Sequence, residues 1–311
     1  MQNKIPLIVV AGPTASGKTE TAIYLAKEFN GEIISADSMQ IYKKYFIATA
    51  KPTKEEMQGI PHHLMDFLNP CDEFSVGKFV LLAKNTIEEI YSRGKIPIVA
   101  GGTGLYISSL INNINFLETD EDKKIRETLN QRLKFEGIDI LYNELKNIDP
   151  DICNKIHKNN EKRVLRALEI FYQTGMNMTF QIEKSKQLPS EYKLCMIALT
   201  YRERNLLYER INKRVDLMVE AELIKEATEF FKDKTSSTAI QAIGYKELKP
   251  YLDGNILLDQ ALENLKQATR RYAKRQLTWF RKDERYNWIY QDDYENKENI
   301  LKKIKKTVED T

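Results

Sequence analysis

The sequence predicts an α/β fold built on a parallel sheet, with a helical insertion and a helical C-terminal region. Three observations predict it. Four apolar runs, "IPLIVVA" (5–11), "EIISA" (32–36), "IPIVAGG" (96–102) and "LCMIALT" (194–200), are bounded by Gly, Pro or polar residues, as strands buried on both faces are. Helical patterns separate the first three, "TETAIYLAKEF" after the first and "VGKFVLLAKNTIEEIYSRG" before the third, which makes βαβ units. Between the third and fourth runs lie roughly ninety residues with little strand character, too many for a simple crossover.

The first strand leads into "GPTASGKT", a complete G-x-x-x-x-G-K-T between strand and helix, which is the context that confirms a phosphate loop. The core is therefore expected to be P-loop NTPase-like. Gly12, Pro13, Thr14, Ala15, Ser16, Gly17, Lys18 and Thr19 form the expected phosphate-binding set. The glycines let backbone N–H groups curl around an anion at a helix N-terminus; Lys18 adds a point charge, and the Thr19 hydroxyl is the expected ligand of a Mg²⁺ ion.

The second strand leads to Asp37, placed at the C-terminal sheet edge where parallel α/β sheets bind their ligands. On placement alone it could instead cap a helix or support the metal. The third strand ends in Gly101 and Gly102, not in the carboxylate that hydrolases and motors use to organise Mg²⁺, and there is no guanine-reading Asn-Lys-x-Asp. Thr103 follows in a turn permissive enough for close approach to a ligand. His62 and His63, after Pro61, read as loop residues without zinc-ligand spacing.

From Asp120 to Lys186 the pattern is helical, "EDKKIRETLNQRLKFEG", "DILYNELKNI" and "NEKRVLRALEIFYQTG". The expected division is a core of 1–115 and 191–311 and an inserted helical subdomain of 116–190. Beyond Tyr201 the chain is again helical. Arg210 and Arg214, four apart, share a helix face, either as lid residues over a phosphate or as partners of Asp216 or Glu220. "KQATRRYAKRQLTWFR" (266–281) carries six basic residues and no acidic one, with Tyr272, Trp279 and Phe280 between them. Such a same-sign helix calls for an anionic partner, and nucleic-acid backbone fits, although a solvated helix face is the bland alternative. Lys162, Arg163 and Arg166 make a second basic cluster in the insertion. "YNWIYQ" is a candidate short strand, and the Lys-rich segment 297–306 reads as a solvated helix end.

Composition adds bounds. The chain has 311 residues, 42% hydrophobic and 30% charged, and a net charge of +3, which speaks neither for nor against a nucleic-acid partner. Cys71, Cys153 and Cys195 are odd in number and far apart, so they are expected to be reduced core residues. No apolar run approaches the ~18 residues of a membrane span, and the N-terminus lacks a signal-peptide pattern. The expectation is a cytoplasmic monomer.

Taken in order, "GPTASGKT", "ISADSMQIY", "GIPHHLMD", "VAGGTGLYI", "DPDICNKIHKNNEKRVLRALEI", "INKRVDLM", "AIQAIGYKEL" and "TRRYAKRQLTWFR" resemble the tRNA isopentenyltransferase family over nearly the whole chain. The resemblance implies transfer of a dimethylallyl group from dimethylallyl diphosphate to the N6 amine of the adenosine 3′ of a tRNA anticodon. It implies Asp37 as general base; Asp37, Ser38, Met39, Gln40 and Thr103 as contacts of the target adenosine; and Lys18, Arg214 and Thr103 beside the diphosphate. Lys162, Arg163 and Arg166, then Gln241, Gly244, Tyr245 and Lys246, then Lys274, Arg275, Gln276, Trp279 and Arg281 match tRNA-contacting segments. Lys158 and Glu161 stand where the family commonly has prolines. The competing readings are a P-loop kinase of a nucleoside or small metabolite, an isopentenyltransferase of free adenine nucleotides, and an RNA-binding module with a regulatory nucleotide site.

Overall fold

The computed structural model describes residues 4–113, 120–187, 190–233, 239 and 242–311. Its strands are β1 (Ile5–Ala11), β2 (Gly31–Ser35), β3 (His62–His63), β4 (Ile96–Gly101), β5 (Tyr192–Thr200) and β6 (Asn287–Tyr290). They form one sheet in the order β3-β2-β4-β1-β5-β6, and each neighbouring pair is parallel. The helices are α1 (Lys18–Glu28), α2 (Lys54–Met57), α3 (Val76–Ser92), α4 (Gly104–Ile111), α5 (Asp120–Glu136), α6 (Ile138–Ile148), α7 (Pro150–Cys153) and α8 (Glu161–Thr174), followed by α9 (Met178–Gln187), α10 (Arg204–Glu220), α11 (Leu223–Lys232), α12 (Tyr245–Leu252), α13 (Leu258–Phe280) and α14 (Lys297–Glu309).

Two compact units emerge, Met1–Ile111 with Glu191–Thr311, and Asn112–Ser190. In the first, β1 lies at the sheet centre between β4 and β5, which is why its apolar run is continuous. Val9, Val10 and Ala11 are fully buried. Ile8 and Val10 pack with Ala22, Ile23 and Leu25 of α1 and with Ile304 of α14. That packing corrects the reading of 297–306 as a solvated end: α14 is amphipathic, and Ile304 is a core residue. In the second unit, Leu129, Leu141, Leu145, Ile152, Val164 and Leu168 form a separate core.

Two further expectations are corrected. His62 and His63 are not loop residues but the edge strand β3, paired with Ile33 and Ile34 of β2. The pairing is reinforced by Glu32, a buried carboxylate that His63 Nε2, Arg93 and Lys95 all approach at 2.7 Å. Burial would raise its pKa, but hydrogen bonds from Lys95, His63 and Arg93 hold it at about 2. Cys71 is exposed and Cys153 half-buried, so Cys195 alone of the three fits the expected core position; all three are free thiols. Among the described residues, no helix is long and apolar enough to cross a membrane.

Candidate active site

The C-terminal ends of β1, β2 and β4 carry the candidate site. Behind β1, Gly12 adopts φ +147°, and a Cβ there would stand 2.5 Å from the Leu199 carbonyl oxygen. Only glycine fits this turn. Gly17 is the N-cap of α1 in the left-handed conformation and has no side chain to bond the first N–H groups of the helix. Those donors and the helix dipole are left to an anion. Lys18 folds back, and its ammonium donates to the Pro13 carbonyl at 2.7 Å. Burial, and then the charge of Arg214, bring the Lys18 pKa down to about 7, against the opposing pull of Asp37. Thr19 lines a small cavity with Ser35, Gln40 and His62.

Asp37 follows β2 and is half-buried. Its Oδ1 accepts the Met39 N–H at 2.9 Å, so the carboxylate is held by a local turn and does not cap a long helix. Its charge is felt by Lys18 and by Arg214. Arg214 is half-buried on α10; burial lowers its pKa, and Asp37 acts in the opposite sense. Thr103 closes the arrangement. Its N–H donates to the Ala36 carbonyl at 3.1 Å, and its Oγ1 accepts the Ser38 N–H at 3.0 Å. This contact requires glycine at 101, where a Cβ would fall 2.2 Å from the Ala36 carbonyl oxygen. An uncapped helix N-terminus and two cations thus share one sheet edge with a carboxylate and a threonine.

The two arginines on α10 divide their work. Arg214 belongs to the charged cluster, whereas Arg210 lies over the Tyr201 ring and donates from Nε to the Ala15 carbonyl at 3.0 Å. Neither takes the expected alternative partner Asp216, which pairs with Lys266 at 2.6 Å.

The basic helix α13 is likewise divided. Lys266 and Arg270 are tied down, Arg270 by Asn212 at 2.8 Å and Glu263 at 2.7 Å. Arg271, Lys274, Arg275 and Arg281 are exposed. Trp279 is 38% exposed, and its indole packs so closely on Gly104 that a Cβ there would meet Cδ1 at 2.2 Å. Lys246 is exposed at the start of α12. In the second unit Lys162 and Arg163 are exposed on α8. Arg166, with Arg126, pairs to the buried Glu169. These groups line a cavity of about 260 Å³ with Lys162.

Three expected nucleic-acid contacts are turned inward. Gln276 is 5% exposed, with both ends of its amide bonded inside the protein. Tyr245 is 1% exposed, stacks on Phe230 and donates its hydroxyl to Glu226 at 2.7 Å. Gln40 accepts from the Ser35 hydroxyl and donates to the carbonyls of Thr49 and Ala50. In this structure these side chains pack and hydrogen-bond within the protein and hold the framework. Gly244 is buried against Ala48. Gln241 lies outside the described residues.

Two further residues take part, Tyr272 and Glu226. Tyr272 lies beside Thr103 and Gln276, and its pKa is raised by burial and then by the charge of Asp37. Glu226 accepts from Phe46 N, Ile47 N and Ala48 N, fixing the segment that receives Gln40. For Tyr272 a signal existed: Tyr272, Gln276 and Trp279 are spaced i, i+4, i+7, one helix face.

A central parallel sheet and an uncapped glycine loop between its first strand and the following helix define a P-loop type of α/β protein. A family model described as IPP transferase matches residues 40–283, and one described as isopentenyl transferase matches residues 5–68. The chain belongs to the IPP transferase family, which makes it a prenyltransferase. It is 51% identical over 302 residues to the tRNA dimethylallyltransferase of Acetivibrio thermocellus and 48% identical over 303 residues to that of Thermoanaerobacter sp., with 96% of both chains covered in each case. Among solved structures, the full-length tRNA isopentenylpyrophosphate transferase of Bacillus halodurans superposes with a TM-score of 0.72 at 44% identity, covering 99% of this chain and 98% of the other. A eukaryotic dimethylallyltransferase acting on tRNA gives a TM-score of 0.76 at 35% identity, covering 89% of this chain and 70% of the other.

Proposed function

We propose that this protein moves a dimethylallyl group from dimethylallyl diphosphate to the exocyclic N6 amine of the adenosine 3′ of a tRNA anticodon. The observation that carries this reading is the meeting, at one sheet edge, of an anion-binding loop and a carboxylate flanked by Lys18, Arg214 and Thr103. The adenine amine is a weak nucleophile, because its lone pair is delocalised into the ring. As its nitrogen bonds to the allylic carbon, the carbon–oxygen bond to diphosphate breaks and the amine sheds a proton. Asp37 takes that proton, while the loop N–H groups, Lys18 and Arg214 stabilise the charge on the departing diphosphate.

Mg²⁺ fits the site. Thr19 follows Lys18 in the first turn of α1 and is exposed, so its hydroxyl would hold the ion, and a hard cation would take its other ligands from diphosphate oxygens and water. Bound there, it would neutralise part of the leaving-group charge. The adenosine must leave the anticodon stack to reach Asp37. Lys274, Arg275 and Arg281 on α13, with Lys162, Arg163 and Arg166 of the helical insertion, hold the RNA backbone, and Trp279 offers an aromatic face. Protein of this kind works where tRNA is, in the cytoplasm, and one chain carries every group named.

Labelled dimethylallyl diphosphate supplied with unmodified tRNA, with AMP or ATP, or with no acceptor tests the reading. Label is expected in tRNA only. Label in free nucleotide, or ATP consumption without prenyl transfer, would favour the nucleotide transferase or the kinase instead. Replacing Lys274 and Arg275 together by Ala should weaken tRNA binding and reduce the slope of log affinity against log salt by about 1 to 2. An unchanged slope would return these residues to a solvated face.

A further inference from the structure

Three consecutive residues of the phosphate loop are each held by a side chain from the C-terminal half of the chain. The Thr14 N–H donates to Gln276 Oε1 at 2.9 Å. Arg210 binds the Ala15 carbonyl, and Gln291 Nε2 donates to the Ser16 carbonyl at 2.8 Å. Between them Ala15 sits at φ +63°, a left-handed conformation that a non-glycine residue keeps only where its surroundings impose it.

Gln276 differs from the other two holders because its amide reaches both sides of the site. While Oε1 holds Thr14, Nε2 donates to the Gly102 carbonyl at 2.9 Å, one residue before Thr103. Gly102 leaves just enough room, since a Cβ there would stand 2.2 Å from Nε2. A single buried amide therefore joins the loop that receives the leaving group to the turn that packs on Ser38 beside the base. It projects from α13, the helix whose outer face carries Lys274 and Arg275.

We infer that Gln276 is a positioning residue for the transfer step, setting the spacing between the diphosphate loop and the Asp37–Thr103 turn. The inference rests on the proposed function. In a displacement, nucleophile, carbon and leaving group must lie in line, and a misplacement of ~1 Å costs on the order of a hundredfold in rate. The position needs one acceptor and one donor on the same planar group. Leucine offers neither. An ionised glutamate accepts from Thr14 but turns a second acceptor on the Gly102 carbonyl, and a protonated glutamate restores both bonds.

The test compares Gln276→Leu, Gln276→Glu and Gly102→Ala with the parent enzyme. It measures single-turnover prenyl transfer to an anticodon stem-loop, affinity for that stem-loop and thermal stability. Gln276→Leu and Gly102→Ala should each slow transfer by about a hundredfold while stem-loop affinity is unchanged. Relative to the parent at each pH, Gln276→Glu should recover as the pH falls from about 8 to about 5.5, where a buried carboxyl takes up its proton. Tyr272 adjoins Gln276, Asp37 and Arg275 act on Tyr272, and Asp37 in turn acts on Lys18 and Arg214; all of these are common to variant and parent, so the ratio reports the new carboxyl. Loss of stem-loop affinity in step with transfer would mean that Gln276 reads RNA directly, and unchanged transfer would mean that the bridge is idle. Lowered stability without recovery at low pH would mean a merely structural amide. Each of these outcomes overturns the inference. A parent that prenylates no tRNA would instead overturn the proposed function, since the variants are scored against the parent.

Discussion

Asp37→Asn is expected to bind tRNA as the parent does and to lose about 10²- to 10⁴-fold in the rate of transfer. The substitution keeps the side chain's shape and leaves an oxygen to accept the Met39 N–H, so the turn after β2 survives. What it removes is the acceptor of the amine proton and a negative charge between Lys18 and Arg214. The two effects separate in a single-turnover assay. Loss of the base slows transfer at saturating substrate, whereas relief of cation repulsion by an incoming diphosphate should leave dimethylallyl diphosphate binding intact or tighter. Transfer at the parent rate would remove Asp37 from the base role and return it to a turn-forming residue.

Lys18→Met should cost the loop most of its affinity for diphosphate and change how that affinity depends on pH. In the unliganded protein the Lys18 pKa is lowered to about 7 by burial and by Arg214. A bound diphosphate favours the ammonium and raises that pKa again. Between the two values the complex holds one more proton than the free protein, so affinity is full below about pH 7 and falls as pH rises, approaching tenfold per unit. Diphosphate itself titrates, so the relevant quantity is the difference in slope between parent and Lys18→Met, measured calorimetrically without tRNA. Equal slopes in the two proteins would show that Lys18 already carries its proton throughout.

How much of this was legible in the sequence varies from residue to residue for physical reasons. "GPTASGKT" could be read directly, because a phosphate loop is a local object: the strand before it, the glycines in it and the helix after it are contiguous, and β1 and α1 stand where the pattern puts them. Asp37 and Thr103 were legible through position alone, since each follows an apolar run that had to be a strand. β6 and the long α13 were foreshadowed by "YNWIYQ" and the basic run, although α13 begins earlier, at Leu258. β3 was not legible, because two residues carry no periodicity and their strand character comes from pairing with β2.

Side-chain direction was the harder matter. Lys266 and Lys274 look equivalent in a basic helix, yet one faces Asp216 and the other solvent. Gln276 sits among residues that read as nucleic-acid contacts, but it lies on the face of α13 turned toward the sheet edge, with its amide already spoken for. The sequence alone determined which chemical groups are present and which strand ends deliver them, because backbone structure follows from local apolar patterns and glycine geometry. Only the tertiary structure decided which of the equally polar side chains at that edge serve a ligand and which bond to the protein, because burial and the hydrogen bonds it demands are set by elements far apart in the chain.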